Sequence, residues 1–250
     1  MKKLFLILLI LSISIPSNIS AQSGRIKKRK NSKKKVTNIS VKKPKKKVPR
    51  YSDFVNKSTK TDTGLFSVHE TKDKFYYEVP NQLLGKELLL VTRLKDIPAG
   101  LGGGYVNAGT KINSQVVVWE KFRNKLLLKV RSFKATAADS LPIYKSVKSN
   151  NLEPIIYAFD ATIQNTDSTA TLIDVTKFLS SDVKAITGLP SSLRKSYKVK
   201  RLDASRSFIN SIKSYPKNIE VVQDFNFDAD APPRNKNTNT ISIRVNQSMI

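Results

Sequence analysis

No cysteine occurs among the 250 residues, and histidine occurs once, at His69. The first absence excludes disulfides, thiolate nucleophiles and cysteine-ligated metal sites. The second narrows catalysis, because a catalytic zinc takes three protein ligands and two of them would have to be carboxylates, an unusual set for this ion. A serine relay would have His69 as its only base, and the chain has no GxSxG elbow to present the nucleophile. Long apolar runs are missing too. Leu4–Ile15 falls short of the ~20 residues that span a bilayer, and no later segment offers another. Acidic residues are scarce, 19 against 45 Lys and Arg, for a formal net charge of +26.

What is present divides along the chain. Lys2 and Lys3, the apolar run, Pro16 and a small-residue site ending at Ala21 have the layout of a secretory signal peptide, residues 1–21, so the mature chain is expected to start at Gln22. The product is then exported: periplasmic, outer-membrane-associated or extracellular, and at most peripheral to a membrane. Residues 22–50 hold fourteen Lys and Arg and no acid. Such a segment cannot bury a core, and like charges extend it, which predicts a disordered basic arm. Its expected contacts with anionic surfaces are Lys27, Lys28, Arg29, Lys30, Lys33, Lys34, Lys35, Lys42, Lys43, Lys45, Lys46 and Lys47. Outside the cytoplasm those surfaces are envelope lipid head groups or phosphorylated glycans. Nucleic acid is not the expected partner, since no aromatic side chain interrupts the arm to stack on bases. The plainer reading is a solvated spacer. Removing leader and arm leaves 29 basic against 19 acidic residues, so the body carries only about +10.

The body, about 200 residues, is long enough to be stable by packing alone. It is expected to be mainly β, an antiparallel module with one or two short helices, divided into a β segment at 51–96 and a main domain at 97–250. Strands are predicted at Leu65–Glu70, Phe75–Val79, Glu87–Leu94, Gln115–Phe122, Lys125–Phe133, Pro154–Ile163, Ala170–Val175, Lys198–Leu202, Ile219–Phe227 and Ile241–Val245. VVVWEKF and KLLLKVRSF, joined at Arg123 and Asn124, read as a hairpin, with Trp119 as packing. The cluster Asn165–Thr169 reads as a turn that folds IIYAFDATI back onto TLIDV. Helices are expected at Ala204–Lys213, capped by Asp203 and stopped by Pro216, at Ser191–Tyr197, and as short turns after Asp174 or Thr176 and after Asp182. Ile241–Ile250 is strand-like to its end, which suggests a sheet that continues past it.

Four stretches, Gly64–Leu94, Val116–Lys121, Pro142–Phe178 and Leu202–Val222, resemble in order the N-terminal, non-catalytic region of secreted bacterial zinc-dependent metallopeptidases, a region of domains of unknown function. The resemblance implies an accessory or pro-region. Zinc is then expected only in a metzincin-like catalytic domain carrying HExxH, a domain absent from this chain, and no cofactor is expected here. The implied partner is that domain, if it is encoded downstream. The alternative is a stand-alone exported module that binds surfaces through its arm.

Three motifs come near to chemistry. In HETKD, Asp73 stands where an HExxH motif has its second histidine, but FSVHE and KFYYEVP flank a polar turn, so a hairpin is expected. AGLGGGY, Ala99–Tyr105, lacks the GK[ST] ending of a phosphate loop and reads as a hairpin loop. Asp224, Asn226, Asp228 and Asp230 alternate along DFNFDAD, yet Ala229 and Asn235 replace the glycine and glutamate of a calcium loop, which leaves a solvated strand edge. Asp139, Asp160, Asp167 and Asp174 are further carboxylates with no sequence evidence of a shared pocket. No catalytic, cofactor or metal residue is therefore assigned.

Overall fold

The computed structural model describes residues 49–234 and 236–250. The expected leader, residues 1–21, and every lysine and arginine named above as an anionic contact lie outside the described residues. Thirteen strands are described: β1 (Lys60–Asp62), β2 (Ser67–Glu70), β3 (Phe75–Pro80), β4 (Glu87–Asp96), β5 (Lys111–Phe122), β6 (Lys125–Val130), β7 (Ile155–Asp160), β8 (Ile163–Gln164), β9 (Ala170–Asp174), β10 (Val199–Leu202), β11 (Phe208–Tyr215), β12 (Asn218–Ala229) and β13 (Thr240–Met249). Three short helices join them: α1 (Tyr144–Asn150), α2 (Thr176–Ser180) and α3 (Ser191–Ser196). The mainly β expectation holds. No helix among the described residues is long and apolar enough to cross a membrane.

The strands form two antiparallel sheets. One has five strands in the order β1-β2-β3-β9-β8; the other has eight, β10-β12-β13-β4-β5-β6-β7, with β11 beside the first half of β12. Alternation explains how they meet. Val68, Tyr77 and Val79 from the small sheet share one apolar cluster with Leu88, Leu90, Val117, Trp119, Leu126 and Leu128 from the large one. Tyr157, Phe159 and Phe178 close around Trp119, which sits 5.6 Å from Phe159 between ring centroids, so the indole is core. Strands of both the 51–96 and the 97–250 segments enter both sheets: β9 pairs with β3, and β4 lies between β5 and β13.

β12 shows how one strand serves two cores. Ile219 and Val221 belong to the inter-sheet cluster, whereas Phe225, Phe227 and Ala229, further along the same face, belong to a second one with Leu94, Leu101, Leu189, Ile241, Ile243 and Val245. Gln223 lies between them, fully buried. It donates to the Leu179 carbonyl and accepts from Gln247, whose amide also reaches the Ile186 carbonyl at 3.2 Å. Asn113 donates to the Ala185 carbonyl at 2.9 Å, and Thr92 approaches the same oxygen. Side chains of four neighbouring strands thus form a belt that binds the backbone of residues 179–186 across the sheet. This satisfies carbonyls that would otherwise be buried without partners, at a cost of ~1–3 kcal/mol each.

The hairpins at Arg123–Asn124, around Lys72–Asp73 and across the glycine-rich loop form as expected. The Asn165–Thr169 turn also forms, but only Ile163–Gln164 pairs back onto β9. Ile155–Asp160 instead joins β6 at the edge of the large sheet, because the chain changes sheets at Ala161 and Thr162. The helix at Ala204–Lys213 is corrected. Asp203 caps only a single 3-10 turn, Ala204–Arg206, and β11 follows. A bulge at Asn210 is responsible. It lets Ile209 pair with Gln223 and Ile212 with Val221, so residues three apart face the same core and imitate helical spacing. α3 occupies its expected place, as does α2, whereas residues 182–187 form a turn rather than a helix. α1 was not foreseen within the polar segment after Pro142.

Candidate functional site

Strand alternation sends Val68, Tyr77 and Val79 into the core and turns Thr61, His69, Tyr76 and Glu78 to the other face of the five-stranded sheet, where cross-strand register places Thr61 opposite His69 and His69 opposite Tyr76. The chain just before β1 folds over that face. Tyr51 meets the His69 ring edge-on at 6.3 Å and Phe54 meets Tyr76 at 5.6 Å, leaving His69 only 2 % exposed.

The buried polar groups there satisfy one another. His69 Nε2–H donates to Glu78 Oε2 at 2.9 Å, and the Thr61 hydroxyl lies 2.9 Å from Nδ1. Tyr51 donates to the same Glu78 oxygen at 2.6 Å, while Asn165 Nδ2 donates to Oε1 at 2.9 Å. Asn165 Oδ1 in turn accepts from the Thr169 and Ala170 amides, as its turn role requires. The hydrogen bonds from His69, then those from Tyr51 and Asn165, outweigh burial and hold the Glu78 carboxyl below the usual range. Burial, and then the neighbouring carboxylate, push the Tyr51 phenol well above its ordinary value. Glu78 therefore carries the negative charge of the group and Tyr51 stays a donor.

Glu78 and Asn165 open onto a cleft of about 640 Å³, whose other walls include Thr63, Ser67, Asn81, Gln82, Ser168 and Thr169. Among the described residues, Glu78 is the only charged one on this lining. Thr61 and His69 are not part of it, so the hydroxyl–imidazole–carboxylate chain ends away from the cleft and presents no nucleophile there. The residues do not fit zinc. Both ring nitrogens of His69 are engaged, alternation puts Glu70 on the opposite face where it pairs with Lys60, and Asp73 lies in the exposed turn. Among the described residues no group of three or more His, Asp or Glu converges as a metal site.

The alternating acids of β12 do share a face, but of an internal strand rather than an edge, and they are matched by guanidinium groups. Arg244 reaches Asp224 at 2.6 Å and Asp96 at 2.8 Å; Asp228 receives Arg206 at 2.9 Å and Arg201 at 3.1 Å. Arg244 keeps Asp224 low, and the Ser205 and Arg206 bonds bring Asp203 to about 2. Asp160 and Asp174 pair with Lys125 and Lys74 instead of with each other.

Two family models match the chain in succession: domain of unknown function DUF5118 over residues 48–97 and domain of unknown function DUF5117 over residues 109–250, more than half of the sequence. The chain belongs to the DUF5117 family. No curated protein and no solved structure matches it. The polar group bridges both matched regions of this DUF5117 chain, since Tyr51, Thr61, His69 and Glu78 lie in the first and Asn165 in the second. Sequence reasoning singled out His69 and the Asn165 turn but missed Glu78. The available signal was a lone acid in the apolar strand FYYEVP, two residues beyond the tyrosine that faces His69 across the sheet.

Proposed function

We propose that this DUF5117 chain is a non-catalytic accessory or pro-region of a secreted zinc-dependent metallopeptidase, with the zinc chemistry supplied by a catalytic domain outside these 250 residues. The observation that carries the reading is the resemblance of four successive blocks, Gly64–Leu94, Val116–Lys121, Pro142–Phe178 and Leu202–Val222, to the front of such enzymes. The engagement of His69 on both ring nitrogens accords with a scaffold role. The signal-like leader supports export, and the catalytic domain is the implied partner. Antibodies to the folded body should recover, from producing cells, either a polypeptide longer than 250 residues or a complex that cleaves peptides, is silenced by chelator and is restored by zinc. A 250-residue species without such activity would overturn the reading, as would zinc-dependent cleavage by the purified chain alone.

The second reading, an exported surface-binding module, is favoured by the fourteen unopposed basic residues of the arm. It predicts that removing residues 25–48 weakens binding to anionic vesicles at low salt; binding undiminished by the deletion would exclude the arm as a contributor.

A further inference from the structure

Between β6 and β7 the chain leaves the large sheet for residues 131–154 and carries large apolar side chains into solvent: Leu152 is 87 % exposed, Ile143 59 %, Phe133 58 % and Leu141 50 %. Two of these residues, Phe133 and Leu152, are neighbours, and Ile143 immediately precedes α1. Phe133, Leu152 and the α1 residues Tyr144 and Val147 line one groove of about 540 Å³. An exposed apolar group of this kind marks a surface that docks onto something.

The charges indicate what that is. At the base of the groove Lys129 pairs with Glu120 at 2.9 Å and Glu153 at 3.5 Å, and Arg131 pairs with Glu153 at 3.1 Å, so these charges are used internally. The same segment carries Lys134, Lys145 and Lys148 against Asp139, and none of these three lysines forms an ion pair among the described residues. Lys148 lies over the Tyr144 ring, 5.7 Å from its centroid. Apolar side chains interspersed with unpaired lysines are the composition of a segment that rests in a lipid interface, with the side chains among acyl chains and the ammonium groups among phosphates.

We propose that residues 131–154 form a membrane-surface docking face that inserts Phe133, Ile143 and Leu152 into a layer containing anionic lipid. This is separate from the basic arm, whose attraction is purely electrostatic and fades with salt, and it does not depend on kinship with a peptidase. Apolar insertion resists salt.

The test is co-sedimentation of the full chain with vesicles of phosphatidylcholine, alone or mixed equally with phosphatidylglycerol, at about 0.1 M and about 0.5 M NaCl. Binding to the mixed vesicles should persist at the higher salt and survive removal of residues 25–48. The combined change Phe133→Ser, Ile143→Ser, Leu152→Ser should weaken it about ten-fold or more with the circular dichroism spectrum unchanged. The combined change Lys134→Gln, Lys145→Gln, Lys148→Gln should weaken it at low salt only. The proposal is overturned if binding disappears at high salt or with the arm, or if the serine variant binds like the parent. It is equally overturned if the serine changes abolish self-association in a chain that never binds vesicles, since the face would then join copies of the protein.

Discussion

The amide belt on the inner face of the large sheet and the Glu78 group on the outer face of the small sheet do similar mechanical work. Gln223, Gln247, Asn113 and Thr92 hold residues 179–186 against β4, β5, β12 and β13; Glu78 holds Tyr51, His69 and the Asn165 turn together. They differ in charge and in access to water. The belt is neutral and sealed between two apolar clusters, whereas the Glu78 group carries a carboxylate at the edge of an open cleft. A sealed site tolerates amides because every donor finds a carbonyl, while an ion is retained where water and several donors share its solvation. Of the two groups only the one at Glu78 contains titratable side chains, so its contribution to stability depends on pH while that of the neutral belt does not.

The largest expected effect breaks the belt. Gln247→Ala removes a buried side chain and leaves the Ile186 carbonyl and the Gln223 side-chain oxygen without a partner, which should cost about 3 kcal/mol in urea unfolding. A loss under about 0.5 kcal/mol would show that the belt is incidental. Glu78→Ala should cost somewhat less, about 2 kcal/mol, by stranding the Tyr51, His69 and Asn165 donors. Glu78→Gln, which keeps the shape and one acceptor, should recover part of that. Since the two groups share no partner, combining Gln247→Ala with Glu78→Ala should give losses that add within about 0.5 kcal/mol; strong non-additivity would mean that the two sheets respond as one unit.

The third prediction concerns acid. The folded-state value of Glu78 is depressed, so the stability it contributes is fully present above the ordinary carboxylate pKa of 4.5 and is lost as pH falls through the lower folded value. Thermal unfolding of the parent should therefore drop more steeply below pH 4.5 than that of Glu78→Gln, and Gln247→Ala should keep the parent's slope. Identical slopes for the parent and Glu78→Gln would remove Glu78 from the acid response. Smallest of all is the half-exposed pair of Lys74 with Asp174 at the rim of the small sheet, where Lys74→Ala should cost ~0.5 kcal/mol or less and vanish in high salt.

Much of this was legible beforehand because the signals were local. Adjacent strands joined by short polar turns, as at Arg123 and Lys72, declare themselves through alternation and turn chemistry, and the HETKD segment could be read as a hairpin for that reason. Non-local decisions were not legible. Ile155–Asp160 has the same strand character whichever sheet it joins, and its place beside β6 follows from the fit of Tyr157 and Phe159 against Trp119 and Phe178. β11 misled because one bulged residue turned a two-residue period into a three-residue one. The belt glutamines look like surface residues in sequence, and only the crossing of residues 179–186 makes burying them favourable.

By itself, then, the sequence determined the β class, the local hairpins and the limits on chemistry, since composition and short-range periodicity are properties of neighbouring residues. It also fixed that one imidazole and no thiol are available. Tertiary structure alone decided which carboxylate His69 would meet, that Tyr51 would close over it, and that Asp224 and Asp228 would face arginines instead of a metal. Those outcomes depend on strand register and on contacts between residues far apart in the chain, and such contacts exist only once two sheets have packed and shut out water.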